Sequence, residues 1–523
     1  MTIRLAIFDS LIGLTILALP VQYLIDSSVV NLACACLVFA SSLTVLLYLR
    51  GTTALEFHPL SACALLGFCV SSQLGALLVQ TAARTSLVGS LHNPLYTFAT
   101  LALYQAIAVS MHALYRFFSV QKPTDVHLIR GLLGWAGIYE TPSCGALWYL
   151  GCVGLPTLLL WHFEGVLQKI ALGFSFLVWA PFLIPFYSRD IGESYCNIRL
   201  QRILLVVYSA VIGILGLALN ARGIMLAGIV TVALLYLLSG MRSNAPVTGR
   251  GLLKLAALAA VVIAISGPIS DLATSMAIAR QGRGKVSAAV MMRTTLHIWR
   301  QPNVIAAYRE DQQAAARFGA YDEYYIANPV LARLVETKFY DTAFRFARTI
   351  TTDDQKARLI DVSIQFAIAG VPGPLLHAIG IDIDKDDLDF SMGDYLAYLS
   401  RGIPLGGHKT GNMFAQGIAL FGPLFPFIYA AICLALFALM DLLTIRPAVG
   451  AASISALGML EIWTYFMGGV TYESLHKVLH LFVRSFEQTV LIYALLFAVA
   501  RLVQRQTKSK AGVPATALLQ RSS

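Results

Sequence analysis

The sequence predicts an all-α polytopic membrane protein, with about twelve transmembrane helices and one large, mostly helical extracytoplasmic domain. Three observations carry that expectation. Apolar blocks of membrane-crossing length follow one another through most of the chain. Charged residues make up 13% of the 523 residues and hydrophobic residues 57%, whereas a soluble domain carries about 25% charged residues. One long polar stretch, 269–411, interrupts the blocks, and its apolar residues are spaced rather than continuous. The blocks must be helices, because lipid offers the backbone no hydrogen-bond partner and a helix satisfies its own. A barrel would show alternating strands of about ten residues, and no such pattern is present.

In order, the blocks fall at 6–24, 29–48, 59–79, 96–117, 144–161, 169–187, 203–219, 222–240, 251–268, 413–440, 449–468 and 486–501. The eleventh carries Glu461 inside it, an expensive position for a carboxylate. The chain divides into an N-terminal membrane bundle (1–268), a loop domain (269–411), C-terminal membrane helices (412–502) and a tail (503–523) expected to be disordered. MTIR and the apolar run after it lack a small-residue cleavage site, so they read as a retained first helix. The eight cysteines form no CxxC pair and no Cys/His zinc spacing, so neither a disulfide framework nor a structural zinc is expected.

Basic residues set the orientation. With the N-terminus inside, inward segments carry seventeen Lys and Arg and short outward loops carry five. That bias fits the positive-inside rule and places both termini in the cytoplasm and the loop domain outside. The net charge of +10 is then accounted for by loops against lipid headgroups and by sites for an anionic substrate, not by nucleic acid.

Four stretches carry residues suited to chemistry. Arg222, in LGLALNARGIMLAG, sits at an outward turn where a guanidinium and a helix start would both attract phosphate; the competing reading is an arginine snorkelling to headgroups. GRGKVSAAVMMRTTLHIW brings Arg283, Lys285 and Arg293 close after Arg280, with Arg293, His297 and Arg300 on one helix face. It is a basic funnel for a lipid-linked pyrophosphate or a holder of anionic lipid; it lacks the P-loop pattern. RGIPLGGHKTGN offers His408 as a general base, with Arg401, Lys409 and Asn412 beside it; a solvated loop histidine is the plain alternative. Glu461, Glu473, His476, His480 and Arg484 either line one cavity or stabilise a helix end. The acidic run from Asp382 to Asp394 has half the spacing of a calcium loop but no glycine at its sixth place. It reads as a solvated turn, and no metal site is assigned.

LNARGIMLAG resembles the arginine-bearing span of bacterial O-antigen repeat-unit polymerases and the related O-antigen ligases, and GGHKTGNMFAQGIALFG resembles their segment after the large periplasmic loop. His408 and Asn412 are separated by KTG rather than adjacent, and NARG lacks the serine that commonly precedes the arginine; both favour the polymerase branch. The resemblance implies a GT-C-like inverting glycosyltransferase in the bacterial inner membrane, serving polysaccharide and lipopolysaccharide assembly. It would join repeat units carried on undecaprenyl pyrophosphate, both donor and acceptor being lipid-linked, and release undecaprenyl pyrophosphate. Arg222 and Arg293 would stabilise the departing pyrophosphate, and His408 would deprotonate the acceptor. Arg280, Arg283, Lys285, Arg401, Lys409, Asn412, Glu461 and His476 would bind substrate. No cofactor is required, and a chain-length regulator is an expected partner. The rival classes are a glycolipid flippase, a ligase-type transferase and a transferase using a polyprenyl monophosphate sugar.

Overall fold

In the computed structural model, seven helices among the described residues are long and apolar enough to cross a membrane: Ile3–Ile25, Val29–Gly51, Pro59–Ala82, Pro94–Ser119, Arg199–Ala218, Met413–Asp441 and Leu475–Val503. Shorter apolar helices cover Cys144–Leu160, Ser175–Tyr187 and Ala227–Arg242. The described residues are all but 122–126, 163–170, 172, 188–197, 250–266, 281–285, 319–322, 327, 329–330, 372, 379, 386, 448–449 and 511–523. The chain is a mostly helical, multi-span membrane protein. Its outer faces carry exposed Leu17, Val206, Ile229 and Phe427, the surface a lipid-facing bundle requires.

Three expectations are revised. The block at 449–468 is not one helix: a strand, Ser453–Ile454, pairs with Thr444–Ile445, and helices Ala456–Leu460 and Ile462–Gly468 follow, broken at Glu461. The last helix begins earlier and ends later, from Leu475 through a π-turn at Leu481–Ser485 to Lys510, so the chain stays helical past 503. Cys144 is disulfide-bonded, which a search for local cysteine spacing cannot reveal; six other cysteines are free. The block at 251–268 lies almost wholly outside the described residues.

Helix contacts in the core are close. A Cβ on Gly67 would sit 1.7 Å from the Phe466 carbonyl oxygen, so Pro59–Cys69 and Ile462–Gly468 meet backbone to backbone. Tyr104 stacks on Phe414 with centroids 4.5 Å apart, and Tyr429 stands edge-on to both.

The two ends of the bundle are distinct. At one end Arg4 is buried rather than solvated. It pairs with Glu56 at 2.5 Å and donates to the carbonyls of Leu49, Arg50 and Thr52, tying the first helix to the end of the second. At the other end the loop domain is bolted down. A π-turn at Val70–Leu74 interrupts the Pro59–Ala82 span and leaves carbonyls outside the regular ladder. Ser71 O accepts from Glu336 N at 2.8 Å and Ser72 O from the Thr337 hydroxyl at 2.7 Å. One turn on, the buried Asp341 carboxylate accepts from His92 N (2.7 Å), Asn93 N (2.9 Å) and the Thr97 hydroxyl (3.1 Å), capping the Pro94–Gln121 helix. Lys338 Nζ lies 3.8 Å from the same carboxylate.

Asp341→Ala removes the acceptor of two part-buried N–H groups and a buried hydroxyl, and the carboxylate beside the buried Lys338. The substitution is expected to cost about 3–5 kcal/mol, read as a lowered unfolding midpoint of the purified protein. Asp353→Ala, at an exposed site on the same domain, is expected to leave the midpoint unchanged.

Candidate functional site

The loop-domain end of the bundle holds a cavity of about 720 Å³, within the size range of ligand sites. One wall is a helical face. Ser474 caps the Leu475–His480 helix, accepting from Lys477 N. From there Lys477, His480, Arg484 and Gln488 recur at steps of three and four, which puts them on one side of the helix. The facing wall comes from the broken helix (Glu461, Thr464), from the turn Tyr472–Glu473, and from Ser175 and Phe176. Gly173 also borders the cavity, where a Cβ would lie 2.6 Å from the Gln488 amide nitrogen.

A smaller cavity of about 160 Å³ adjoins it, lined by Glu336, Tyr340, Thr410 and Asn412 among others. Tyr472 and Glu473 line both cavities, so the Glu473 residue stands at their shared boundary. The turn bearing it is held closely. Met413 N donates to Tyr472 O at 3.0 Å, and Gln416 bridges Leu475 N (2.8 Å) and the Ser363 hydroxyl (2.9 Å). A Cβ on Gly411 would fall 2.7 Å from Glu473 O. Among the described residues neither Lys477 nor Arg484 forms an ion pair with a carboxylate, so the cationic wall keeps its charge for a ligand.

The structure brings together part of what the sequence singled out. Glu461, Glu473, His480 and Arg484 share the larger cavity. His476 does not line it: the ring is buried, stacked on Phe366 at 4.5 Å, with Nε2 3.1 Å from the Ser474 hydroxyl. His480 also reaches the loop domain, its Nε2 donating to Phe366 O at 2.9 Å. Asn412 borders the smaller cavity, but its Oδ1 caps the next helix, accepting from Phe414 N (2.8 Å) and Ala415 N (3.0 Å).

Other residues lie apart from both cavities. His408 is exposed with φ +48°, and its backbone N–H, not its ring, is engaged, donating to Asp394 at 2.7 Å. Lys409 pairs with Asp394 at 2.8 Å. Arg401 is exposed at the end of its helix, and Arg280 and Arg293 are exposed. Arg283 and Lys285 lie outside the described residues. Arg222 opens the Arg222–Arg242 helix at the loop-domain end, where the Asn220 amide two residues earlier donates to Met276 O at 2.9 Å; the Arg222 side chain lies outside what is described. The acidic run splits in two. Asp382, Asp384, Asp387 and Asp389 are exposed, and Asp394 is buried as part of a capping box. No group of metal-binding side chains occurs among the described residues.

Lys477 and Glu336 escaped sequence reading as site residues. The Lys477–His480–Arg484 spacing was the legible signal for the first; nothing local marks the second, which arrives from the loop domain. No family model, curated protein or solved structure matches the chain.

Burial alone would raise the Asp394 carboxyl pKa. The Lys409 ammonium and the backbone N–H groups of Lys409, Ser391 and His408 outweigh it, and the net shift is downward. A depressed folded-state pKa stabilises above the unfolded value and is lost as pH falls through the folded one. Hydrogen exchange in 402–411 is therefore expected to accelerate as pH drops below the ordinary aspartate value of about 3.9, after correction for the intrinsic rate. In Asp394→Asn the segment is expected to exchange fast at neutral pH, with that acid step gone.

Proposed function

We propose that the chain is an inverting glycosyltransferase that polymerises lipid-linked oligosaccharide repeat units, an O-antigen-type polymerase of about twelve spans with a GT-C-like plan. The observation that carries the reading is the position of Glu473 on the boundary of two cavities, the larger walled by Lys477, His480 and Arg484. A polymerase needs two sugar subsites and one proton acceptor between them. The donor pyrophosphate lies against Lys477 and Arg484 in the larger cavity, and the end sugar of the acceptor enters the smaller one.

The chemistry follows from charge. The acceptor hydroxyl oxygen forms a bond to the donor's anomeric carbon as the bond from that carbon to the pyrophosphate oxygen breaks. Glu473 takes the hydroxyl proton. Negative charge grows on undecaprenyl pyrophosphate as it leaves, and cations already in place stabilise that charge more than they stabilise the ground state. The leaving group departs as a stable anion, so the scheme calls for neither metal nor nucleotide. Arg222 starts its helix at the same end of the bundle and remains a second candidate for the pyrophosphate. The exposed His408 and Arg293 have no step in this scheme.

The same reading places the protein in a bacterial inner membrane, with both termini cytoplasmic and the loop domain periplasmic, which is where lipid-linked units are presented. One observation pulls against that orientation. The Cys144 disulfide begins a helix near Glu140, which pairs with Arg501 at the end away from the loop domain, and disulfides seldom persist in the cytosol.

The test is reconstituted protein supplied with a lipid-linked repeat unit, read as a ladder on a gel. Glu473→Gln is expected to slow the ladder by about 100-fold or more, and Arg484→Ala by about 100- to 1,000-fold. His408→Ala is expected to leave it unchanged. Folded protein that makes no ladder but moves the lipid-linked unit across a vesicle bilayer would replace the enzyme with a flippase. A ladder insensitive to Glu473→Gln would remove that residue from the site.

A further inference from the structure

The end of the bundle away from the loop domain holds a third cavity, of about 500 Å³, lined by Tyr48, Thr53, Phe57, His58, Arg116 and Phe117 among others. Arg116 is its charge. The guanidinium donates to the Tyr48 hydroxyl (3.2 Å) and the Thr53 hydroxyl (3.1 Å), and among the described residues no carboxylate pairs with it. A guanidinium has five N–H donors, so donors remain for a ligand.

The cavity wall is held by a chain of hydrogen bonds that runs one way. The Ser61 hydroxyl donates to the buried Asp441 carboxylate at 2.8 Å, which leaves its oxygen to accept from His112 Nε2 at 3.0 Å. His112 Nδ1 then accepts from the Tyr48 hydroxyl at 2.7 Å, and the Tyr48 oxygen accepts from Arg116. Asp441 also takes His58 Nδ1 at 2.8 Å, and His58 Nε2 lies 3.3 Å from the Ser119 hydroxyl. Tyr48 and His58 are thus fixed from behind, and Arg116 is aimed by groups that are themselves fixed. The rim is apolar: Phe57 and Phe117 are exposed, and Phe118 beside Phe117 is exposed too.

We propose that this cavity binds the phosphate group of a membrane lipid, with Arg116 and the Thr53 hydroxyl on the phosphate oxygens and the acyl chains along Phe57 and Phe117. An unpaired guanidinium recognises an oxyanion by charge-assisted hydrogen bonds. The aromatic rim, at the end of membrane-spanning helices, selects a ligand that carries its own apolar chains over a free anion. The site is separate from the two cavities at the loop-domain end and stands whether or not those belong to a glycosyltransferase.

The test is native mass spectrometry of the full chain in detergent, titrated with phosphatidylglycerol, with diacylglycerol as the phosphate-free lipid and inorganic phosphate as the free anion. Wild-type protein is expected to retain phosphatidylglycerol over diacylglycerol. Arg116→Ala is expected to weaken retention about 10-fold or more, the scale of one lost charge-assisted hydrogen bond. Thr53→Val, at an exposed position, keeps the fold under test if Arg116→Ala does not fold, and is expected to weaken retention several-fold. Equal retention in the folded variants, or no preference over diacylglycerol, would overturn the proposal. Binding of inorganic phosphate that depends on Arg116, without retained lipid, would overturn the lipid assignment and leave a soluble phosphate as the ligand.

Discussion

The buried Asp341 carboxylate is the constraint on which the loop-domain end depends. Three donors from one stretch of the bundle, His92, Asn93 and Thr97, converge on it, and the carboxylate itself comes from a helix of the loop domain. Such a group is costly to bury and costlier to strand, so it holds one position. The helix it fixes, Thr337–Ala347, also bears Phe339 and Tyr340, and Glu336 precedes it; all three line the smaller cavity. A single clamp therefore sets the roof of the site against the membrane helices. The π-turn at Val70–Leu74 is its companion, since the carbonyls of Ser71 and Ser72 receive the residues just before that helix.

The site itself is assembled from interruptions in regular structure. A helix breaks at Glu461, a turn carries Glu473, and a π-turn at Leu481–Ser485 lies between His480 and Gln488. Each interruption puts polar groups where an unbroken apolar span would have none, and backbone of this kind is tolerated at membrane depth only where protein or a cavity surrounds it. At the far end, by contrast, polar groups are chained inward from Arg116 to Asp441, so Arg116 is displayed and the groups behind it are satisfied.

A mostly helical chain with several membrane-crossing helices was legible because hydropathy and length are local properties; of the twelve blocks expected, seven helices among the described residues have that length and hydropathy. The grouping of Glu461 with Glu473, His480 and Arg484 was legible as well. His408 and Arg293 stood out for local reasons, a histidine among turn residues and a basic helix face, and both side chains are exposed away from the cavities. His408 sits where it does for a backbone reason: its N–H and the Lys409 side chain close a turn on Asp394. His476 and His480 look alike in sequence, yet one is buried behind Phe366 and the other lines the cavity, a difference set by how the Asp353–Ala369 helix lands on them. The Asp341 clamp spans some 244 residues to Thr97 and has no local signature.

The most direct test of the central claim is a single-particle structure of the protein bound to an undecaprenyl-pyrophosphate-linked glycan. The account requires pyrophosphate density against Lys477 and Arg484, with the first sugar beside Glu473. Pyrophosphate density at Arg293 or His408, with the Glu473 cavities empty, would contradict it.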